Sequence, residues 1–451
     1  MPEPYDMLAE AQAEQRPIHG HRTAGSARAS IGSAYSCLKT DIDALPPVTP
    51  AFGSAAALQP SPMKQSQSLS FGLVTTRRGL EALEADWNRL FDRAGRSIHV
   101  FQSFNWCWHW CNHFLPAARN LDAETSLRII TAYRGDTLVL VWPLIRSRKA
   151  GLVEVSFLGD PVSQYGDLLI DDIADRDAIL DRAWQFLIAE VPADVVNLRR
   201  VRADANIAAL MARTGALVTD QREAPYLDLA SAPDFARYET RYSSKSRRNR
   251  RRVMRRFEER EPAAVEVHES GRRARDLAGL AISLKRAWLR DRGLVSRALA
   301  KPETRRFFEA VAEASVRPVG AAVLSLVTMG EAAAIEIAFD CKGRRVVHVI
   351  VYALKYESAG VGQLLVEQSI RRSFDKGLQC YDLMAPGDAY KLEWADGTVA
   401  VADWAAGLSA GGRMYVRAYL GFGRHRLKAA INLARRTLNR FANAKLTTAR
   451  G

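Results

Sequence analysis

The chain has 451 residues, of which 48% are hydrophobic and 25% are charged, and its net charge is +14. This length predicts two domains, and the composition is typical of a soluble globular protein. No run of about 18 apolar residues occurs, so the sequence predicts no transmembrane helix. The first residues lack a secretory-signal pattern and the five cysteines are scattered, so we expect a cytoplasmic protein with reduced thiols.

Two segments carry the positive charge. Residues 241–260 contain ten Lys or Arg and two Glu, and residues 411–451 contain ten Lys or Arg and no acidic residue. The rest of the chain is therefore slightly acidic. This distribution disfavours a dedicated nucleic-acid binder, which would present a broad basic face.

The first part of the chain is predicted to be a tail followed by an α/β half. Residues 1–68 hold eight of the eighteen prolines and no hydrophobic period, which predicts a disordered tail. Residues 69–230 alternate strand and helix patterns. We predict strands over 71–75, 127–133, 137–145, 153–158 and 195–201, and helices over 80–91, 104–114 and 175–190.

Residues 231–410 repeat the order strand, strand, strand, helix, strand. Helices are predicted over 241–260, 277–289, 302–314 and 361–376, and strands over 321–328, 332–340, 345–351 and 378–383. The repeated order indicates an internal duplication at the level of pattern. Residues 411–451 resemble a basic amphipathic helix, for which contact with an anionic membrane surface and a solvated tail both remain open.

A glycine turn begins the helix of the second half. Strand 345–351 is followed by Glu357-Ser-Ala-Gly360-Val-Gly362. Glycine allows close approach of a ligand to the backbone, and the first N–H groups of a helix point at it, so this turn predicts a phosphate site. The first half has Gly159-Asp-Pro-Val-Ser-Gln-Tyr-Gly166 at the equivalent place. Its proline and wider glycine spacing predict a scaffold or substrate-binding half.

Several short motifs in order resemble a known family. They are Phe101-Gln102-Ser103, Trp142-Pro143-Leu144, Phe157-Leu158-Gly159, Tyr165-Gly166-Asp167, Ser243–Arg256, Gly360-Val361-Gly362, Gly377-Leu-x-x-Tyr381-Asp382-Leu383 and Tyr390-Lys391-x-x-Trp394. Over about residues 70–410 the chain resembles the GNAT (Gcn5-related N-acetyltransferase) fold, and within it the bacterial CelD/BcsL-like acetyltransferases, which are relatives of the FemABX aminoacyltransferases. The resemblance implies an α/β (α+β) protein of tandem GNAT-like halves, each a mixed, mostly antiparallel sheet flanked by helices.

The resemblance also implies a co-substrate. In GNAT enzymes the amides of the glycine turn hold the pyrophosphate of CoA. Acetyl-CoA or another acyl-CoA is therefore the expected partner, without a metal. The residues expected to bind it are Val349, Val351, Gly360, Val361, Gly362 and Gln363. Glu357 stands where the family has Gln or Arg, and an acid beside a pyrophosphate is unfavourable.

Transfer of an acyl group from a thioester to an amine needs a route for the amine proton and a donor to the developing oxyanion. Asp382 is a candidate base or amine ligand, with a structural role as the alternative. Tyr390 and Lys391 match an active-site motif of the FemABX relatives, which implies that Lys391 stabilises negative charge; a surface lysine is the alternative. Glu336 is a candidate base or else part of a solvated strand face, and His348 is interpreted as a core histidine.

Two further motifs have more than one interpretation. Residues 106–114 hold two Cys and two His at i, i+4 spacing, but the pairs lie about 200° apart around a helix, which favours a buried helix over a metal site. Arg247, Arg251 and Arg255 form a stripe suited to a phosphate or carboxylate of the acceptor. A solvated helix between the halves is the alternative.

The sequence thus predicts an acyl-CoA-dependent N-acyltransferase that acts in the cytoplasm, or at the inner face of the membrane. Its family neighbours imply an amino-bearing small-molecule or glycan acceptor, such as a cell-envelope or exopolysaccharide precursor. The alternatives are tRNA-dependent aminoacyl transfer of the FemABX type and a non-catalytic protein that retains the fold. RNA binding is disfavoured because no aromatic platform interleaves the arginines.

Overall fold

A computed structural model describes residues 68–115, 125–149, 151–260, 263–294 and 296–423. The predicted disordered tail and the part of the predicted C-terminal helix beyond residue 423 lie outside these residues. Within them the strands are β1 (Leu69–Val74), β2 (Thr125–Leu127), β3 (Ile129–Arg134), β4 (Thr137–Trp142), β5 (Leu144–Lys149), β6 (Leu152–Phe157), β7 (Leu169–Ile170), β8 (Val195–Arg202), β9 (Leu217–Asp228), β10 (Ala263–His268), β11 (Ala322–Thr328), β12 (Glu331–Cys341), β13 (Arg344–Tyr352), β14 (Cys380–Asp382) and β15 (Gly397–Gly407).

The helices pack on both sides of these strands. The α-helices of the described residues are α1 (Arg77–Ala82), α2 (Glu84–Ala94), α3 (Phe104–Phe114), α4 (Arg176–Glu190), α5 (Ala208–Arg213), α6 (Phe235–Tyr238), α7 (Ser244–Arg260), α8 (Gly271–Asp291), α9 (Arg297–Ala300), α10 (Pro302–Glu313), α11 (Val361–Asp375), α12 (Ala389–Trp394) and α13 (Ala410–Met414). Short 3₁₀ helices span His99–Gln102, Leu229–Ser231, Glu239–Arg241 and Leu354–Ala359, and a π-helical segment spans Tyr415–Gly423.

The strands form two mixed or antiparallel sheets. Eleven strands make one sheet in the order β10-β11-β12-β13-β14-β9-β15-β8-β6-β5-β2, and four make the other in the order β1-β3-β4-β7. In the large sheet β6 is parallel to β8 and β13 is parallel to β14, and each pair is joined by a crossover helix, α4 or α11. This mixed α/β architecture confirms the predicted fold class.

The two crossover units exchange their last strands. β9 follows the first unit and pairs with β14 of the second, whereas β15 follows the second unit and pairs with β8 of the first. β9 and β15 also pair with each other in antiparallel register, from Gly397 opposite Tyr226 to Ala405 opposite Leu217. The duplicated connectivity therefore builds one continuous sheet to which both halves contribute.

Two segments predicted as single strands are each divided in two. Residues 137–145 form β4 in the small sheet and β5 in the large sheet, on either side of Pro143. Proline has no N–H to donate to a ladder, so the strand changes sheet there. Residues 127–133 divide at Arg128, whose N–H bonds the carbonyl of Leu144 at 3.0 Å. Both single-strand predictions are wrong.

The Trp-rich helix α3 has the predicted bounds and is a core helix. Trp106 is fully buried, and its ring centroid lies 4.9 Å from that of Phe307 and 5.3 Å from that of Phe339, both in edge-on contact. A helix of the first half is thus packed against α10 and β12 of the second. Such aromatic contacts add to the free energy of burying each ring.

The start of the predicted C-terminal basic helix packs on the sheet. Val416 and Leu420 are buried against Val195 and Ala405. Along the residues that the structure describes, no helix combines the length and the apolar content needed to cross a membrane.

Candidate active site

The parallel strands β13 and β14 separate and leave an opening in the sheet. Their pairing covers only Arg344–Val346 against Cys380–Asp382, although β13 continues to Tyr352. A cavity of about 150 Å³ lies in this opening. Its walls include Val347, His348, Val349 and Ile350 of β13 and Leu383, Met384 and Ala385 after β14. Of the two strand residues expected to hold an acyl chain, Val349 lines the cavity and Val351 is buried in the core.

The predicted glycine turn begins α11. Gly360 has a left-handed backbone with φ of 71°, and a Cβ there would lie 2.9 Å from Cγ1 of Val253 on α7. Glycine is therefore required both for conformation and for space. The N–H of Gln363 bonds the Gly360 carbonyl at 3.0 Å, so the first-turn amides directed at an anion are those of Val361 and Gly362. The turn sits directly against the basic helix α7.

Glu357, the residue that departs from the family pattern, has two partners. Its carboxylate accepts a hydrogen bond from the Tyr352 hydroxyl at 2.9 Å and one from the Arg292 guanidinium. The Arg292 guanidinium lies over the Trp288 ring, 4.2 Å from its centroid, and Trp288 donates from Nε1 to the Tyr352 hydroxyl at 3.4 Å. The negative charge of Glu357 is thus compensated beside the turn, at the end of β13.

Two lysines, one carboxylate and one tyrosine line the cavity on the side of α8 and α12. Lys391 donates from Nζ to two carbonyls of the loop after β14, at 3.1 and 3.0 Å, and lies 3.7 Å from Asp388. Burial raises the pKa of Asp388. Lys285 has its Nζ 4.5 Å from the centroid of the Trp288 ring, and burial, reinforced by the charge of Lys391, lowers its pKa to about 8. The predicted pair Tyr390 and Lys391 therefore does lie at a cavity.

His348 lines the same cavity with a neutral imidazole. Its Nε2 is 2.7 Å from the carbonyl oxygen of Val162, which can only accept, so Nε2 carries the proton. Its Nδ1 is buried and has no hydrogen-bond partner among the described residues. Burial lowers the pKa of His348 to about 4. Nε2 is hydrogen-bonded, as expected for a core histidine, whereas Nδ1 keeps an unpaired lone pair.

Arginines of the first half line the cavity as well. Arg200 on β8 donates from Nη1 to two backbone carbonyls at 3.3 and 2.5 Å, and its backbone N–H bonds Asp403 at 2.8 Å. Burial lowers the pKa of Arg200 to about 10, so the side chain stays charged at neutral pH. Arg222 on β9 donates to Asp220 at 2.7 Å. Both halves of the chain therefore build the cavity wall.

Asp382 is buried in an ion-pair network next to the cavity. Its carboxylate accepts from the Tyr165 hydroxyl at 2.8 Å, from Arg202 at 3.2 Å and from Arg344 at 3.0 Å. It also accepts from the N–H of Met384 at 2.9 Å. With four donors and no exposed surface, this carboxylate is arranged to fix the chain after β14 rather than to receive a proton.

Glu336 is also fully buried, so the alternative of a solvated strand face is wrong. Its carboxylate accepts from Arg345 at 3.1 Å, from Ser369 at 2.6 Å and from Tyr381 at 2.7 Å. These bonds tie β12 to β13, α11 and β14. Glu336 is not among the residues that line the cavity.

Two of the three arginines of the α7 stripe line a cleft. Arg251 and Arg255 line a cleft between α7 and α11 together with Arg371, and Arg255 is 3.3 Å from Glu259. Arg247 is half-buried and is not among the residues that line this cleft. The stripe therefore lies apart from the cavity between β13 and β14.

Sequence reasoning missed Arg250, which is the buried arginine of this helix. Its guanidinium lies between the rings of Tyr242 and Trp394, 4.4 and 4.9 Å from their centroids, and 3.2 Å from Glu367. It joins α7 to α11 and to the Tyr390-Lys391 helix α12. Trp394 of the Tyr390-Lys391 motif thus has a packing role in this contact.

Sequence reasoning also missed Lys285 and Arg200. Lys285 follows Ala278, Ala281 and Ile282 on the buried stripe of α8, where a lone lysine is a signal that was available in the sequence. Arg200 is one of three arginines within the apolar strand β8. Neither signal indicates which surface the side chain reaches.

Within the described parts of the chain, no cluster of His, Cys, Asp and Glu is arranged to hold a metal ion. Cys107 and Cys111 are buried thiols, and burial raises the pKa of each. Burial and the neighbouring His113 lower the pKa of His109 to about 4. These are properties of a packed helix.

Comparison with known proteins adds a family to this geometry. Residues 244–392 match the family model of an acetyltransferase (GNAT) domain. A domain of this family supports acyltransferase activity in general, with acyl-CoA and an amine-bearing acceptor as the general partners. The match does not extend to the CelD/BcsL-like branch, and no curated protein matches the sequence.

Solved structures of similar shape share little sequence. A conserved protein of unknown function from Bacteroides thetaiotaomicron is 13% identical, with 74% of this chain and 99% of that chain covered and a TM-score of 0.47. A tandem GNAT protein from the clavulanic acid biosynthesis pathway is 14% identical, with 76% and 99% covered and a TM-score of 0.43. FemX is 11% identical, with 70% and 97% covered and a TM-score of 0.45. None of these similarities specifies a function.

Proposed function

We propose that this chain, whose residues 244–392 match the GNAT acetyltransferase domain family, is an acyl-CoA-dependent N-acyltransferase. The observation that carries the proposal is the position of the glycine turn. It lies at the end of β13, the strand whose unpaired edge lines the cavity between β13 and β14. A ligand with a pyrophosphate at one end and a thioester at the other matches that layout.

The donor would run along β13. The amides of Val361 and Gly362 are suited to the pyrophosphate, because they lie at the N-terminus of α11, which is the positive end of the helix dipole. No acidic residue lies in the first turn of α11. Tyr352 borders the turn, since a Cβ on Gly362 would lie 3.2 Å from its ring. The edge of β13 at Val349 and Ile350 then leads to the cavity, where the thioester would lie.

The reaction requires two bond changes. The neutral amine nitrogen attacks the thioester carbonyl carbon, a C–N bond forms, and the C–S bond breaks. The amine loses one proton and the departing sulfur gains one, so the products are an amide and the free thiol of CoA. Protein groups must accept the first proton and stabilise the oxyanion between the two steps.

Two groups on the cavity wall suit these roles. His348 lines the cavity and has an unpaired Nδ1 lone pair while Nε2 is fixed by the Val162 carbonyl, and we assign it the amine proton. Lys285 is a cation in a partly desolvated wall, where charge acts strongly on a developing oxyanion. Lys391, expected from the sequence to stabilise the oxyanion, is engaged with loop carbonyls, and we assign it to holding the loop that carries Tyr390.

The acceptor and the location rest on the sequence resemblance. The CelD/BcsL-like pattern supports an amino group of a cell-envelope or exopolysaccharide precursor as acceptor. Residues 411–451 carry ten Lys or Arg and no acidic residue, which supports activity at the anionic inner face of a membrane. The stripe Arg247, Arg251 and Arg255 is the part of the chain available for an acidic or phosphorylated region of a large acceptor.

A second candidate is aminoacyl transfer from tRNA. The observation in its favour is the cationic cleft between α7 and α11, lined by Arg250, Arg251, Arg255 and Arg371. Contacts between arginines and the phosphodiester groups of a nucleic acid make its affinity fall steeply as the salt concentration rises. The glycine turn at the end of β13 favours the CoA donor.

Calorimetric titration of the full chain with acetyl-CoA and CoA tests the proposal. The wild type should bind both at micromolar concentration. Gly360→Asp should lose binding, whereas Gly360→Ala adds the same Cβ against Val253 without a charge and measures the steric part alone. Thermal unfolding of each variant shows whether it is folded. Absence of binding by the wild type would reject the proposal and favour the tRNA-dependent or non-catalytic alternative.

A further inference from the structure

The cavity between β13 and β14 is more basic than acyl transfer to an amine requires. Among its lining residues are four cations, Arg200, Arg222, Lys285 and Lys391, and one carboxylate, Asp388. The carboxylate of Asp388 interacts with the charges of both lysines. Arg222 donates a hydrogen bond to Asp220, which is not among the lining residues. The lining as a whole keeps an excess of positive charge, which attracts anions and repels ammonium groups.

This charge sets a condition on the acceptor. An amine must lose its proton before it attacks, and a cationic site lowers its pKa and favours that neutral form. The same field repels an amine that carries no other charge and is protonated in solution. An acceptor that also carries an anionic group is attracted, and its amine can enter the site as a free base.

Arg200 is held in a conformation that places it at this cavity. Its φ is +59° within strand β8, a left-handed backbone that is unfavourable for a non-glycine residue. The conformation is fixed on both sides, because Asp403 accepts from its N–H at 2.8 Å and its carbonyl accepts from the N–H of Gly166 at 3.0 Å. Arg199 and Arg200 are both half-buried there, between buried residues on either side. Strain maintained by several contacts is characteristic of functional positions.

The side chain of Arg200 is anchored by one nitrogen only. Both of its hydrogen bonds to loop carbonyls start from Nη1. A guanidinium has five N–H donors, so Nε and Nη2 are the donors that these two bonds leave, in the fork that fits a carboxylate or phosphate. The residues around the donor turn are Val253, Arg292, Tyr352 and Glu357, so Arg200 belongs to a different part of the site.

We infer that the acceptor amine carries a carboxylate or phosphate that binds to Arg200, with Arg222 beside it, on the part of the cavity wall formed by the first half of the chain. This inference rests on the proposed function, because it names the acceptor for that reaction. It gives the first half a specific task. The second half binds the donor, and β8 and β9 select the acceptor by its anion.

Anion binding tests the inference without catalysis. The thermal midpoint of the full chain is measured with saturating CoA, which fills the donor turn, and with added inorganic phosphate or acetate at constant ionic strength. Either anion should raise the midpoint of the wild type, and the response should be lost in Arg200→Gln and reduced in Arg222→Gln. The matched control is Arg213→Gln, an exposed arginine of α5 that pairs with Asp181 on α4. Equal responses in all variants, or none in the wild type, would overturn the inference.

Rates with matched amines distinguish the two anions. Release of CoA thiol from acetyl-CoA is compared for ethanolamine, phosphoethanolamine and β-alanine. We expect phosphoethanolamine or β-alanine to react at least about tenfold faster than ethanolamine, and we expect Arg200→Gln to lose this advantage. Preference for the neutral amine would overturn the inference alone. Failure of the wild type to bind acetyl-CoA would instead reject the proposed function, while the difference in anion response between the wild type and Arg200→Gln would still report on Arg200.

Discussion

The two crossover units share their connectivity and differ at the first turn of the helix. α4 is preceded by Asp175 and has Asp177 in its first turn, whereas α11 is preceded by Gly360 and has no acidic residue there. Carboxylates at a helix N-terminus occupy the positive pole that an anionic ligand would use. The same topology thus produces one helix stabilised by its own acids and one that offers its amides to a ligand. The turn, and not the fold, therefore distinguishes the two halves as candidate phosphate sites.

The loop between β6 and β7, which precedes α4 in the first unit, also differs in role from the glycine turn of the second unit. In the first unit the loop 158–168 turns inward, where the Val162 carbonyl accepts from His348 and the Tyr165 hydroxyl donates to Asp382. Trp106 fixes this loop by donating from Nε1 to Ser163 at 2.9 Å. The loop of the first unit therefore supports the site of the second.

The largest effect should come from breaking this link between the units. His348→Asn removes the Nδ1 lone pair and the bond to Val162, so we expect kcat to fall by about 100-fold or more, with little change in CoA affinity. Steady-state rates and calorimetry measure the two quantities. His113→Asn, on the core helix α3 away from the cavity wall, is the matched control. A variant of His348 with normal kcat would assign the histidine to packing alone.

The pH dependence of activity should follow the protonation state of Lys285. Its charged form is the active one in the proposed reaction, and its pKa is lowered to about 8, so activity per neutral amine should fall as pH rises through 8, by about tenfold at pH 9. Lys285→Arg keeps the charge at high pH and should extend the plateau. A profile of kcat/KM that is the same in wild type and Lys285→Arg would contradict the role of Lys285.

Making the second helix resemble the first should weaken donor binding. Gln363→Glu places a carboxylate in the first turn of α11 without altering either glycine, and Gln363 is exposed, so the fold should tolerate the change. We expect CoA affinity to fall by about fivefold, or roughly 1 kcal/mol. The reverse change in the first unit, Asp177→Asn, should leave CoA affinity unaltered. Equal effects of the two variants in calorimetry would remove the distinction between the units.

The smallest effect concerns Glu357. Because Arg292 and the Tyr352 hydroxyl already compensate this carboxylate, Glu357→Gln should raise CoA affinity by only about two- to threefold, or roughly 0.5 kcal/mol. The gain should shrink at high salt, since Glu357 is about half exposed. A much larger gain would mean that Glu357 limits binding in the wild type.

Local patterns in the sequence were sufficient for much of this fold. The helix at 104–114 and the strand-turn-helix over 344–375 follow from apolar periodicity and from glycine at the turn. The exchange of β9 and β15 was missed, because β9 mixes Asp, Gln, Arg and Glu with apolar residues and its partner lies about 180 residues away. Strand pairing over such distances has no local signal.

The candidate site was only partly accessible from the sequence. Tyr390, Lys391 and the glycine turn were identified as motifs, and they do lie along β13 and its cavity. Lys285 and Arg200 were not, because a cavity wall is assembled from distant elements, here α8 and β8. Asp382 and Glu336 were chosen as polar residues in apolar strands, a signal that ion-pair networks produce as readily as catalytic groups.

The most direct test of the central claim is amide hydrogen exchange of the full chain with and without saturating CoA. If the second unit holds the donor at its glycine turn, peptides covering residues 354–364 should be protected and those covering 173–180, at the start of α4, should be unchanged. Protection confined to the first unit, or no protection in either, would contradict the account.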